Sequence, residues 1–335
     1  MNKIAYVYKQ KRSDAAWSSV ISELGLYLQT LDDRVKCFHV DNTNRSSLTD
    51  SKKEIKQWKL GPGDLLIFNH AICFWLLFPL LLQLKRRGVR LIFLFHEHEH
   101  ILGLSYCIKN LGKLRVKEWL RHLKLWYRIP FEISNHVVCL SSYQATVMNK
   151  LSFERLSYLG IDSKRFPPKP SYRQCDGRAT VMFAHDPGRF DKGDRFYRLL
   201  QHNLNFQWRY GRDRILPYSE VYKKYHENDI IFLPSDSESY SLVFAEALAT
   251  NCCIVTNTNV GIVQLLLSLF SIDELEKYGL FICEHNTDAY KEGLEKAARY
   301  IHNHEADTLS LFNLMKLDST YAFDRFYSFI KRIGG

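Results

Sequence analysis

The sequence predicts an α/β protein made of two doubly wound parallel-sheet domains in tandem. Three observations carry that expectation. Short unbroken apolar runs recur along the chain, as they do in strands covered on both faces. Stretches of helical period separate the runs, and alternating strand and helix builds a parallel sheet with helices on both sides. The runs are too many for one compact sheet of this kind, and a single proline-rich stretch interrupts their rhythm.

In chain order the runs are "IAYVY" (4–8), "LLIF" (65–68), "LIFLF" (91–95), "VVCL" (137–140), "TVMFA" (180–184), "IIFL" (230–233), "CIVT" (253–256) and "LFI" (280–282). Between the first two, Trp17, Val20, Ile21, Leu24, Leu28 and Leu31 fall at helical spacing after a Ser13–Asp14 start signal. The most apolar segment is "AICFWLLFPLLL", Ala71 to Leu82. It is shorter than the roughly 20 residues a bilayer span requires, and Pro79 interrupts it, so it reads as a buried helix. From Lys164 to Asp176, "KRFPPKPSYRQCD" holds three prolines and no periodicity, which marks a linker. The expected organisation is an N-terminal domain over 1–165, a linker over 166–176, a second domain over 177–315 and a final helical segment over 316–335. Ligands of such sheets bind beyond the carboxyl ends of the strands, so two facing domains would share one deep cleft.

At 335 residues the chain has room for two domains, and its 46% hydrophobic and 24% charged residues are those of a globular protein. No low-complexity segment and no solenoid or propeller period is present. A net charge of +10 favours anionic partners: nucleic acid, an acidic membrane surface or a phosphorylated substrate. The 8 cysteines form no C-x-x-C, and several sit inside apolar runs such as "NCCIVT". Buried free thiols and a reducing, cytoplasmic compartment are expected. The opening "MNKIAYVYKQ" reads as a strand and shows no signal-peptide pattern.

The most informative stretch is "NDIIFLPSDSESYSLVFAEALATNCCIVTNTNVGI", Asn228 to Ile262. A buried strand ends at Pro234–Ser235, a polar loop follows, and a helix is expected to start near Ser239 or Tyr240. Glu238 precedes that helix and Glu246 lies two turns inside it. Free N–H groups and the positive dipole end at a helix start suit a phosphate. A carboxylate at Glu246 suits the hydroxyls of a ribose, and one at Glu238 suits a sugar. Taken alone, the same spacing also fits an ordinary capped surface helix with solvated glutamates.

The stretch resembles the retaining glycosyltransferases of family 4, which have the GT-B fold. Their pattern is a strand ending in Pro-Ser, an E-x7-E helix ending in Glu-Ala, a further strand and a Val-Gly loop. Here those parts are Asp229, Pro234, Ser235, Glu238, Glu246, Ala247, Val260 and Gly261. Three more segments are similar in the same order: "NHVVCLSSYQ" (135–144), "YLGIDSKRFPP" (158–168) and "GRFDKGD" (188–194). The resemblance implies a donor domain that holds a nucleotide sugar and an acceptor-side N-terminal domain. Arg189 and Lys192 would grip the diphosphate, Glu246 the ribose, and Glu238 would lie by the donor sugar. The backbone of Ser239, Tyr240, Ser241 and Leu242, with Gly261, would line the donor. Fixed cations and helix N–H groups stabilise the charge growing on a departing diphosphate more than the ground state. No cofactor is implied beyond the nucleotide sugar as co-substrate. The acceptor would be a saccharide or lipid-linked saccharide, in the synthesis of cell-surface polysaccharide or glycolipid.

This chain departs from the pattern at several points. Ser241 stands where a glycine is usual, and "ATNCC" where a glycine and a proline are common. The Arg-to-Lys spacing in "GRFDK" is shorter than usual. The first loop, "YKQKRSDAAW" (8–17), lacks the family's glycine pair, so Lys9, Lys11 and Arg12 would substitute by charge or serve the acceptor. Gln264 takes a place where a carboxylate is common.

The run "HEHEH" (96–100) follows a buried strand. A strand ending in His-x-His also opens one class of metal-dependent hydrolases, which is the rival reading. A metal there needs further ligands from other strand ends, and only His70 and His185 are so placed. In the transferase reading His96 would face the donor sugar, with Glu97 next to it, and His98 would stand on the acceptor side. An imidazole there can bond a sugar hydroxyl or share a proton. No D-x-D occurs in the chain, so no metal is expected. A non-catalytic binding protein of the same fold is the third reading.

After this run, Lys113, Lys117, Arg121, Lys124 and Arg128 recur at helical spacing beside an apolar face with Trp119 and Trp126. A basic amphipathic helix with tryptophans suits an anionic membrane surface, at about 1 kcal/mol per charge. No nucleic-acid recognition motif accompanies it, so nucleic acid is not an expected partner. The segment "AFDRFYSFIKRIGG" (322–335) resembles the C-terminal helix that crosses back to the first domain in this fold.

Overall fold

A computed structural model of the chain describes residues 2–9, 16–40, 45–95, 125–140, 154–155, 159–170, 178–185, 188–203, 205–211 and 216–334. The chain divides into two compact units: Met1–Leu159 with Ala322–Gly335, and Gly160–Tyr321.

The first unit contains strands β1 (Ile4–Lys9), β2 (Val35–Val40), β3 (Leu65–Asn69), β4 (Arg90–Phe95), β5 (His136–Cys139) and β6 (Glu154–Arg155). They form one sheet in the order β2-β1-β3-β4-β5-β6, parallel throughout. Among the described residues its helices are α1 (Ala16–Leu31), α2 (Arg45–Gln57), α3 (Ala71–Arg86) and α4 (Leu125–Ile133). Strand residues of both registers are buried, which is why the runs are unbroken. Ala5, Val7, Leu66, Phe68, Leu91, Phe93 and Phe95 pack with α3 and α4 in one cluster. On the other register Tyr6 donates to the carbonyl of Ile21 in α1 at 3.4 Å. The apolar segment after β3 is helix α3, with Pro79 inside it and Phe74, Leu77, Leu80, Leu81 and Leu84 buried. Among the described residues no helix is long and apolar enough to cross a membrane.

The second unit contains β7 (Ala179–Phe183), β8 (Phe206–Tyr210), β9 (Ile230–Leu233), β10 (Cys253–Asn257) and β11 (Leu280–Cys283). Their order is β11-β10-β9-β7-β8, again parallel. The helices are α5 (Asp194–Leu200), α6 (Tyr222–His226), α7 (Leu242–Ala249), α8 (Gly261–Leu267), α9 (Ile272–Lys277), α10 (Thr287–Asn303) and α11 (Thr308–Leu314). The core on one face joins Val181, Phe183, Ile230, Phe232 and Val255 to Phe196, Tyr197, Tyr290 and Leu294 of α5 and α10. From β7 the chain steps to β8 on one side and returns to β9 on the other. The space beyond the carboxyl ends of β7 and β9 is therefore the topological switch point, where open α/β sheets take ligands.

The last helix, α12 (Ser319–Gly334), begins in the second unit, and from Ala322 onward it belongs to the first. There Tyr27 donates to Asp324 at 2.5 Å, Tyr327 to Asp32 at 3.2 Å, and Asn2 Nδ2 to the carbonyl of Gly334 at 2.6 Å. Its buried face is Ala322, Phe323, Phe326, Phe329 and Ile330, the 3.6-period stripe written in the sequence.

Candidate functional site

The polar side chains of the second unit converge at its switch point. Strand β9 ends at Leu233, and the loop Pro234–Ser241 leads to α7. The loop is held from several directions. Glu238 N–H donates to the carbonyl of Asn259 at 2.9 Å, and Gly261 N–H donates to that of Glu238 at 3.1 Å. Asp236 N–H donates to the carbonyl of Asp191 at 3.0 Å. The 3₁₀ turn Phe190–Lys192 lies so close to this loop that a Cβ on Gly193 would stand 2.0 Å from the Pro234 carbonyl oxygen. With φ +77 as well, only glycine serves at Gly193.

Helix α7 starts at Leu242, two to three residues later than the sequence suggests. Ser241 is its N-cap, with φ 80 and ψ 94, and Ser241 Oγ accepts from Phe244 N–H at 3.3 Å. The serine thus adopts the left-handed conformation that explains a glycine at this position in related patterns, at a strain of about 1 kcal/mol or more, and adds a cap that glycine lacks.

Lys192 Nζ donates to Glu238 Oε1 at 2.6 Å, and both side chains are about nine-tenths buried. The cation counters the cost of burying the carboxylate. Ser235 Oγ lies 3.4 Å from the same oxygen. His185, the second residue after β7, brings Nε2 within 3.4 Å of Ser235 Oγ and 3.8 Å of Glu238 Oε1. Burial first, and the Lys192 cation second, push this imidazole down to about 3, so it is neutral at pH 7. Arg189 is placed differently. Its guanidinium forks onto both Asp191 oxygens at 2.9 and 2.7 Å, with half of its side chain exposed.

Glu246 points inward from α7 and is 3% exposed. Tyr225 of α6 donates to one of its oxygens at 2.5 Å, and Tyr218 donates to the other at 3.2 Å. Burial pushes this carboxyl up to about 7, against the lowering effect of the two hydroxyls. Phe166 meets both tyrosines edge-on, with ring centroids at 5.5 Å from Tyr218 and 6.1 Å from Tyr225.

A second network braces the loop from behind. Arg195 forks onto Asp236 at 2.7 and 2.5 Å, and His285 Nε2 reaches Asp236 at 2.6 Å. His285 Nδ1 lies 2.6 Å from Tyr290 Oη, and Asn257 Nδ2 donates to that oxygen and to the carbonyl of Ser235. Burial raises the Asp236 carboxyl, but the His285 and Arg195 hydrogen bonds outweigh it and hold it below the usual carboxylate range.

The structure therefore brings together Lys192, Glu238, Ser239, Tyr240, Ser241, Leu242 and Gly261 around one loop, with Glu246 behind it. It adds His185, Ser235, Tyr218 and Tyr225. His185 was visible in the sequence as a histidine at a strand end. The two tyrosines come from "LPYSEVYKKYH", where no local pattern tells of a partner 21 or 28 residues on. His96, Glu97, His98, Lys113, Lys117, Arg121 and Lys124 lie outside the described residues. Among the described residues no three His, Cys, Asp or Glu side chains are grouped so as to hold a metal ion.

No protein-family model matches the sequence, and no curated protein does. Solved structures do match over nearly the whole chain. Sucrose-phosphate synthase from Thermosynechococcus elongatus is similar with a TM-score of 0.67 at 13% identity, covering 99% of each chain. The catalytic domain of starch synthase IV from Arabidopsis thaliana, bound to ADP and acarbose, gives 0.62 at 12% identity, over 99% of this chain and 98% of that one. HepE from Anabaena, in complex with UDP, gives 0.62 at 11% identity, over 98% of this chain and all of that one. The protein thus has the GT-B fold of glycosyltransferases.

Proposed function

We propose that the protein is a retaining glycosyltransferase, related to family 4, that binds a nucleotide sugar in its second unit. One observation carries the reading. At the switch point of a GT-B donor-type sheet, a Lys192–Glu238 pair and the inward carboxyl of Glu246 flank the start of one helix. In this reading Lys192 holds the diphosphate, Glu246 accepts from the ribose hydroxyls, and Glu238 bonds the donor sugar. Backbone from Ser239 to Leu242, with Gly261, lines the donor. Two of the similar structures were solved with UDP or ADP, which supports a nucleotide-diphosphate donor here.

The reaction needs no side-chain nucleophile. The acceptor hydroxyl oxygen attacks the anomeric carbon on the face from which the diphosphate leaves. The bond from that carbon to the phosphate oxygen breaks as the new glycosidic bond forms. The hydroxyl proton passes to the departing phosphate oxygen. Lys192 stabilises the charge that grows there, and such preorganised charge is the larger part of catalysis in sites of this kind. His96 and Glu97 serve the sugar, and His98 the acceptor. The acceptor is a saccharide or lipid-linked saccharide, and the pathway makes cell-surface polysaccharide or glycolipid. The Lys113, Lys117, Arg121 and Lys124 stripe holds the enzyme at an anionic membrane on its cytoplasmic side. Liposome co-sedimentation that depends on anionic lipid and falls with salt tests the last point.

The main test is a thermal-shift screen against UDP-, GDP- and ADP-sugars. One class raises the melting temperature, and Glu246→Ala abolishes the shift. No shift with any class, or an undiminished shift in Glu246→Ala, contradicts the reading.

A further inference from the structure

We propose that His185, rather than Arg189, joins Lys192 in holding the donor diphosphate; the assignment rests on the nucleotide-sugar reading of the second unit.

Three observations carry it. The first is position. His185 follows β7 and Glu238 follows β9, and these neighbouring strands flank the switch point. Any ligand seated there meets the residues just past both strand ends. The second is convergence. Lys192 Nζ and His185 Nε2 stand 2.6 and 3.8 Å from the same oxygen, Oε1 of Glu238. The two nitrogens thus stand close enough for one anionic oxygen lodged between them, away from that carboxylate, to be in reach of both. The imidazole is loosely tied, because its approach to Ser235 Oγ at 3.4 Å is at the long end of a hydrogen bond. It is therefore able to turn to a better acceptor without breaking a strong contact. The third is the state of Arg189. Its fork is spent on both oxygens of Asp191, and half of its side chain faces solvent. Moving it to a phosphate would break both of these hydrogen bonds and leave Asp191 only the longer pairing with Lys192, 3.8 Å away.

The chemistry suits the place. A neutral imidazole donates one N–H to a phosphate oxygen and brings no second buried charge next to Lys192. A hydrogen bond to a charged acceptor in a dry site is stronger than one between neutral groups. The unusually short Arg-to-Lys spacing in "GRFDK" is then no defect. The arginine caps the turn at the surface, and the histidine just past the end of β7 serves the ligand in its place.

Isothermal titration calorimetry decides the matter, with UDP, GDP and ADP and the matching nucleosides as probes. His185→Gln is expected to weaken the diphosphate that the wild type binds by about tenfold and to leave its nucleoside unchanged. His185→Arg restores most of the loss, and Arg189→Ala stays within about twofold of wild type. Melting curves on the same samples establish that each variant is folded, and the arginine variant keeps the test open if glutamine disturbs packing. The assignment is overturned if His185→Gln binds as wild type, if it loses diphosphate and nucleoside alike, or if Arg189→Ala carries the tenfold loss. Glu246→Ala separates the two levels. If it abolishes binding while His185→Gln does not weaken it, only the His185 assignment fails. If the wild type binds none of the three diphosphates, or Glu246→Ala binds them unchanged, the reading of the site fails and the assignment with it.

Discussion

Glu238 and Glu246 stand eight positions apart on one loop and helix, both nearly out of solvent, yet their surroundings solve the burial of a carboxyl in opposite ways. Glu238 is met by a cation, Lys192 at 2.6 Å. Glu246 is met by two neutral hydroxyls, Tyr225 at 2.5 Å and Tyr218 at 3.2 Å. An ion pair keeps a buried carboxylate charged, whereas hydroxyls only partly offset desolvation and leave Glu246 near 7. The pair is thus one carboxylate held by a cation and one adjustable charge, which in the proposed reading meet the donor sugar and the ribose.

The largest expected effect comes from breaking the fixed half. Lys192→Met strands the Glu238 carboxylate in the interior and is expected to cost about 3–5 kcal/mol in urea unfolding. The double variant Lys192→Met/Glu238→Gln recovers most of that loss, because no charge is then left unpaired. A loss under about 1 kcal/mol in the single variant would mean that Glu238 reaches water.

The adjustable half is read by pH. The folded protein holds the Glu246 proton up to about 7, whereas the unfolded chain releases it near 4.5. The contribution to stability is therefore full below about 4.5 and is lost as pH rises through about 7. Nucleotide binding moves the other way, since ribose hydroxyls donate to the charged form: affinity strengthens from pH 6 to 8. Glu246→Gln removes both dependences, leaving only the titration of the nucleotide itself. Tyr225→Phe sharpens the contrast. Without that donor the Glu246 carboxyl titrates still higher, as a ¹³C NMR titration would read, and stability falls by about 1–2 kcal/mol.

The smallest effect concerns the residue between the two glutamates. Ser241→Gly relieves φ 80 but gives up the cap on Phe244. The two terms oppose, so the net change is expected to stay within about 1 kcal/mol. Ser241→Val keeps the strain and loses the cap, and is expected to melt well below the glycine variant.

Much of this was legible in the sequence, for a physical reason. Interior strands of a parallel sheet are apolar on both faces, so each wrote an unbroken run. The strands that escaped notice are β2, β6 and β8, all at sheet edges. In β2, "VKCFHV" mixes a buried Phe38 with an exposed His39, and in β8, "FQWRY" carries an exposed Gln207. In these edge strands one side faces away from the core and the signal is lost, whereas β11, also an edge, keeps the apolar "LFIC" and was found. The same contrast holds in the site. The Pro-Ser loop, Glu238, Glu246 and the Lys-Gly turn form local patterns and were found. His185, Tyr218 and Tyr225 reach the glutamates from other elements, so their partners are set by the fold and not by spacing. The helix start was placed early because Ser239 has the side chain of a cap just as Ser241 does, while the bridge between Glu238 and Val260 extends the loop to Ser241.

The most direct test of the account is a crystal structure of the protein with UDP, GDP or ADP bound. The account predicts the diphosphate beyond the ends of β7 and β9, in contact with Lys192, and a ribose hydroxyl on Glu246 with Tyr218 displaced or shared. A nucleotide bound elsewhere, with the Lys192–Glu238 and Tyr218–Glu246 contacts left as they are, would contradict it.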